Sequence, residues 1–316
     1  MIASGHLANL RMSVRLTRFE LLFLGGALLA VTAVAFLVAA QLENLAPPAI
    51  CFQAYENLPP AGCETASAAF YELQGRVGVV LTALLVGIPL LAGAMLGITV
   101  VAREIERGTA RLAWSLATSR VRWFLARLLP ILALFAAITF VAGVGADRLE
   151  ASFRPGVDMT TSFDAFGTRG VLVAARALLV LAIAVAVGAV MGRVLPSLLV
   201  TAVIAAIGLP GISMVHQWVL RGEAVAFDDF AYDSGALNVD QRFRLPDGRL
   251  VGWDYFTEIG EEPYDINGNA RYPEVVMAVP GERYRFAELR EMAALGGASL
   301  VVLLLALAVT NRRRPD

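Results

Sequence analysis

The sequence contains no lysine, so all 26 basic side chains are arginine. This excludes the G-x-x-x-x-G-K-[ST] phosphate loop, whose lysine reaches the β- and γ-phosphates, and any Schiff-base nucleophile. ATP hydrolysis by this chain is therefore not expected. Histidine and cysteine are also scarce, two of each, and His6 and His216 stand far apart in sequence. Most zinc sites need three or four N/S ligands held together, so none is expected. Charged residues make up 17% and AVILMFWYC residues 58% of the 316 positions. Soluble domains carry roughly 25% charge, so this is not a soluble composition. A net charge of −1 points to no nucleic-acid partner.

What the sequence does have is long apolar runs. Six reach the about 20 residues needed to cross a bilayer as a helix: approximately 21–42, 77–101, 124–146, 170–191, 197–218 and 292–310. None alternates with the two-residue period of a barrel strand. The fold class expected is an all-α integral membrane protein of six transmembrane helices. Placing the N-terminus inside puts 1–20, 102–123, 192–196 and 311–316 in the cytoplasm, with 12 arginines and 4 acids in 53 residues. The other side then holds 12 arginines and 23 acids in 130 residues. Positive charge gathers in cytoplasmic loops, so an N-in, C-in topology is expected.

Residues 1–20 form a cytoplasmic segment in which Leu7, Leu10 and Val14 recur at helical spacing beside Arg11, Arg15 and Arg18. This fits an amphipathic helix on the inner membrane face, or a basic flank without structure. A cleaved signal peptide is the competing reading, but its apolar core would be roughly 7–15 residues, shorter than the run here. In the first outer loop Cys51 and Cys63 would face an oxidising compartment, which favours a disulfide over free thiols. The second outer segment, 219–291, holds 15 acids and 8 arginines. Val239–Leu245, the turn Pro246-Asp247-Gly248 and Leu250–Trp253 read as a β-hairpin. A small α+β extracytoplasmic module is expected there, between helices 5 and 6, with the helical pattern from Glu282 running on into the sixth span.

The cytoplasmic loop 102–123 carries the densest pattern. In Arg103-Glu104-Ile105-Glu106-Arg107-Gly108-Thr109-Ala110-Arg111-Leu112-Ala113-Trp114, Arg103 and Glu106 are spaced to pair at i,i+3. Gly108 ends the second span, Thr109 can cap a short helix 110–117, and Ser119 can cap the next helix. Leu112, Trp114 and Leu116 would be exposed on that short helix. The plain reading is a re-entrant hairpin joining two spans; the sharper one is a helix that docks on a cytoplasmic protein.

This loop resembles that of permease subunits of ATP-binding-cassette transporters of the type-2 exporter family, whose pattern is R-E-x-E-x-G-T-x-R-L, then Trp, then S/T-R. Arg103, Glu104, Glu106, Gly108, Thr109, Arg111, Leu112, Trp114, Ser119, Arg120 and Trp123 match it. The R-L-A-W and R-x-R-W variant looks like that of actinobacteria. Ala117 and Arg127 stand where many relatives have Pro and Lys. The resemblance implies that loop 102–123 is a coupling loop seated in a cytoplasmic ATPase, of which two copies bind ATP and Mg. It implies no catalytic residue or cofactor in this chain. It implies pairing with a second six-helix permease, identical or paralogous, in the lipid of a bacterial plasma membrane. The expected function is export of a lipophilic or amphipathic compound such as a drug, antibiotic, peptide or lipid. A membrane-anchored receptor with a ligand-binding outer module is the alternative. Gly93 and Gly97 suggest close helix approach. Arg176, about six residues into the fourth span from its outer end, either snorkels outward or serves a substrate path or subunit contact.

Overall fold

The structure is a computed structural model. It describes residues 2–48 (backbone only for 2–18), 51, 62–110, 114, 119–227, 235–265 and 270–313. Helix α1 spans Ile2–Leu45, α2 Cys63–Leu73, α3 Val79–Glu106, α4 Arg120–Phe153, α5 Val171–Met191, α6 Val194–Arg221 and α8 Tyr284–Arg312; the short α7, Trp253–Ile259, precedes the last. Among the described residues six helical stretches are long and apolar enough to cross a membrane. Each coincides with one of the six apolar runs to within a residue or contains it, and several outrun it. The backbone of α1 is helical through residues 2–20 without a break, while the faces of that segment lie outside the described side chains. The second stretch begins at Cys63, because the good helix formers of α2 lead through a π-helical turn, Gln74–Gly78, into α3.

The chain divides into two compact units. The first comprises residues 1–156, 167–211 and 290–316, and holds the helical bundle. Helix α5 is apolar on every side, and thirteen of its residues, from Leu172 to Ala189, are buried. An all-round apolar helix belongs at the centre of a bundle. Its main neighbour is α3, and glycine allows the contact: a Cβ at Gly97 would stand 2.5 Å from the Leu181 carbonyl oxygen and 2.6 Å from Ala184 Cβ. One at Gly93 would stand 2.7 Å from the Ala177 carbonyl oxygen. The expected close approach through Gly93 and Gly97 is thus the α3–α5 crossing. Leu21, Leu96, Phe124, Leu128, Phe135 and Leu181 build one core; Leu28, Leu42, Phe70, Leu85 and Leu149 build another. By contrast α6 turns Leu195, Leu199, Val203 and Ile207 outward, an i,i+4 stripe that only lipid or another protein would cover.

The second unit comprises residues 157–166 and 212–289. Its antiparallel sheet has the order β1-β4-β2-β3, from Val225–Phe227, Leu237–Arg244, Leu250–Val251 and Glu274–Val279. The predicted hairpin is β2–β3, with Phe243 opposite Val251 and Arg244 opposite Leu250. Its turn is held by Asp247, which accepts from the Arg249 backbone N–H at 3.0 Å. That bond, before the Arg249 guanidinium, holds the Asp247 carboxyl below the usual carboxylate range. Strand β4 lies in the middle of the sheet. Phe243, Leu245 and Phe256 form a core with Tyr255, Tyr264 and Tyr272 around it. A second core gathers Phe163, Leu220, Val279, Tyr284 and Ala287. His216 belongs here: it is buried and stacks on Phe166 at 5.1 Å.

Candidate functional site

The end of the bundle bearing Glu20, Arg103–Gly108 and Arg120–Arg127 is a network of charge built on the last turn of α3. Here the expected Arg103–Glu106 pair does not form. The two side chains lie roughly 60° apart on the helix, close enough to pair, but each is taken by another helix. Arg103 pairs with Glu20 of α1 at 2.5 Å. Glu106 accepts from the Val194 backbone N–H at 2.8 Å, the first residue of α6. An exposed i,i+3 pair is worth about 0.2–0.5 kcal/mol, whereas a half-buried pair between helices is less screened, and an acid at a helix N-terminus adds its own attraction.

Glu104 is the hub. Its Oε1 lies 3.0 Å from Arg127 Nη1 of α4, with both side chains less than a fifth exposed. Its Oε2 accepts from the Thr109 hydroxyl at 2.5 Å. Thr109 thus spends its proton on Glu104, across the turn made by Arg107 and Gly108. Gly108 sits at φ +71°, the left-handed conformation that favours glycine just past a helix end. The predicted stop at Gly108 follows from this geometry. Ser119 caps α4 by accepting from the Arg122 backbone N–H at 3.1 Å.

Arg111, Leu112 and most of the expected short helix 110–117 lie outside the described residues. Trp114 is described, and it is not the fully exposed side chain expected. It is half-buried, meets the edge of Trp123 at 6.0 Å and lies under the Arg120 guanidinium at 4.8 Å. Arg127 lies over Trp123 at 5.0 Å. Two tryptophans and two arginines therefore interleave, each cation over a ring face. Arg120, Trp123 and Arg127 share one face of α4 by their spacing, but Trp114 joins them only when the loop folds back on that helix.

At the other end of the bundle Arg176 does not snorkel freely. It pairs with Glu291 of α8, Nη2 to Oε1 at 2.6 Å, and the carboxylate is almost wholly buried. Gly167 makes room, since a Cβ there would lie against the guanidinium. Arg169, which sequence reasoning missed, is 2% exposed and pairs with Asp147 at 2.5 Å. The signal was present: Asp147 follows one apolar run and Arg169 precedes the next, so opposite charges face each other at one membrane level. Arg148 pairs with Glu43, and Thr82 donates to Glu150. We expect a double-mutant cycle on Arg176→Gln and Glu291→Gln, read by thermal unfolding in detergent, to give a coupling of about 0.5–3 kcal/mol. Additive effects would show that the pair contributes nothing. Cys51 and Cys63 are joined in a disulfide with Cα atoms 5.6 Å apart.

Residues 23–216, more than half of the chain, match the family described as ABC-2 membrane transporter related. The chain belongs to this family. No curated protein and no solved structure matches it. An ABC-2 transporter membrane component is a transport permease, and membership implies an ABC ATPase partner. The match runs from α1 into α6 and so takes in the charged hub; the sheet and α8 lie beyond it.

Proposed function

We propose that this ABC-2 permease couples ATP hydrolysis by two separate ATPase subunits to export of a lipophilic or amphipathic compound. The observation that supports it best is the Glu104 hub. A loop that is to carry force from a docked protein into the bundle must be tied to the spans at its root. Glu104, Arg103 and Glu106 tie that root to α4, α1 and α6. Residues 102–123 are the coupling loop in this reading, with Arg103, Glu104, Glu106, Gly108, Thr109, Ser119 and Arg120 at its root and Arg111, Leu112 and Trp114 towards the ATPase. ATP and Mg belong to the ATPase chains.

The arginine asymmetry supports N-in, C-in insertion in a bacterial plasma membrane. The domain plan is then an inner segment 1–20, spans and coupling loop over 21–218, an extracytoplasmic module at 219–291, a sixth span and a short inner tail. The outward apolar stripe of α6 would meet lipid or a second permease, identical or paralogous. Arg176 and its partner Glu291 would border the substrate path, where a buried ion pair is the kind of group an amphipathic cargo displaces. Affinity purification of the intact protein from its native membrane tests the reading. It should bring down an ATPase carrying a phosphate-loop lysine; recovery of the permease alone would overturn it.

A further inference from the structure

The contacts at the coupling end reach beyond the roots of α3 and α4. Arg120, the first residue of α4, donates through Nη1 to the backbone carbonyls of Asn311, at 3.2 Å, and of Arg313. These belong to the C-terminal end of α8. Arg313 in turn donates through its Nη1 to the carbonyls of Ala189, at 2.7 Å, and Val190, at 3.3 Å, in the last turn of α5. The fit is close. A Cβ on Gly192, which has φ +67°, would stand 2.7 Å from Arg313 Nη2 and 2.8 Å from Ile105 Cγ2 of α3.

Basic groups on the last carbonyls of a helix are ordinary caps. Two features go beyond capping. Each arginine caps a helix other than its own, across 191 residues from Arg120 to Asn311 and 124 from Arg313 to Ala189. The first of them also carries Trp114 of the loop on its guanidinium face. The two arginines therefore hold the end of α8 from two sides, Arg120 from the loop root on α4 and Arg313 against α5, which itself packs on the root of the loop through Ala184 and Ala102.

We propose that Arg120 and Arg313 are positioning residues that carry displacement of the coupling loop to α8. The proposal rests on the reading of 102–123 as the ATPase seat, and the experiment separates the two. The native cysteines are joined to each other, so single cysteines can be labelled selectively with bimane. Leu91→Cys on α3 and Leu305→Cys on α8 are suitable, at 66% and 59% exposure. The intact permease–ATPase complex in lipid nanodiscs is given Mg-ATP and vanadate, and the fluorescence change is read at each label.

Both labels should respond in the otherwise unsubstituted protein. In Arg313→Ala the α3 label should respond as before and ATP should still be hydrolysed, while the α8 amplitude falls about fivefold or more; the α8 amplitude should fall in Arg120→Ala as well. Arg313→Lys should lie between, since an ammonium still donates to a carbonyl but without the planar fork. Should the alanine variants fail to assemble, Arg313→Lys decides on the same scale. A wild-type α8 amplitude in Arg313→Ala, or an α8 label that is silent in the unsubstituted protein while α3 responds, overturns the latch alone. Silence at both labels overturns the ATPase seat and the latch with it.

Discussion

Glu104→Ala is expected to uncouple the permease from its ATPase more severely than any other single change in loop 102–123. Among the described residues Glu104 is the side chain that binds both sides of the loop root, Arg127 on α4 and Thr109 beyond the turn. Its loss leaves a largely buried guanidinium without that carboxylate, and removing one member of a buried pair costs more than the pair contributes. It also leaves the Thr109 hydroxyl with only the longer bond to the backbone carbonyl of residue 104, at 3.3 Å, so the loop pivots at Gly108 without moving α4. Reconstituted with the ATPase, the variant should lose ATP-driven efflux by about 5–150-fold, the range of typical coupling energies, while ATP turnover persists. The exchange Glu104→Arg with Arg127→Glu should recover part of the loss, because the same two charges meet with their helices swapped. Efflux unchanged in Glu104→Ala would remove the hub from the mechanism.

Gly97→Leu should be the most damaging substitution in the bundle, and Gly97→Ala should already destabilise it. Alanine at a helical glycine normally gains up to about 1 kcal/mol in propensity. Here the added Cβ would meet backbone, Leu181 O at 2.5 Å and Val185 N at 3.2 Å, which cannot rotate away as a side chain would. Helix α3 would have to part from α5, and overpacking of this kind costs about 1–3 kcal/mol. Gly87 lies on the same helix with nothing within 4 Å of its would-be Cβ, so Gly87→Ala should be neutral or stabilising. Unfolding midpoints in detergent compare the two; equal shifts would show that the crossing is not set by Gly97.

The two results would act on different parts of one device. Gly97 sets how closely α3 lies on α5, and Glu104, less than two turns further along α3, sets what the end of that helix pulls on. A variant that loosens the crossing should therefore lower stability and coupling together. A variant at the hub should lower coupling with less effect on the unfolding midpoint, because the cores around Phe124, Phe135 and Leu181 remain packed.

Much of this was legible in the sequence because it rests on one-dimensional signals. A run of about 20 apolar residues must be a helix in lipid, since every backbone donor has to be satisfied within the segment. Gly108 stops α3 because no other residue adopts its left-handed turn as readily, and Ser119 caps α4 because its hydroxyl lies one residue before the first helical turn. The hairpin at Pro246-Asp247-Gly248 follows from turn chemistry alone. The sequence also separated charge by loop, which sets the expected topology.

Partnerships between helices were decided elsewhere. Local spacing offered Arg103 to Glu106, and the fold gave Arg103 to Glu20 and Glu106 to Val194. Arg176 had two readings until α8 brought Glu291 beside it, and Arg169, whose place at the edge of an apolar run only hinted at a partner, became a buried charge against Asp147. The central place of β4 and the reach of Arg313 to α5 belong to the same class. The physical reason is common to all of them. Apolar length and turn chemistry act within a few residues, so the sequence by itself settled which segments are helices and where they stop. An ion pair in a low-dielectric bundle goes to whichever opposite charge packing brings within about 3 Å, and only tertiary structure decides which one that is.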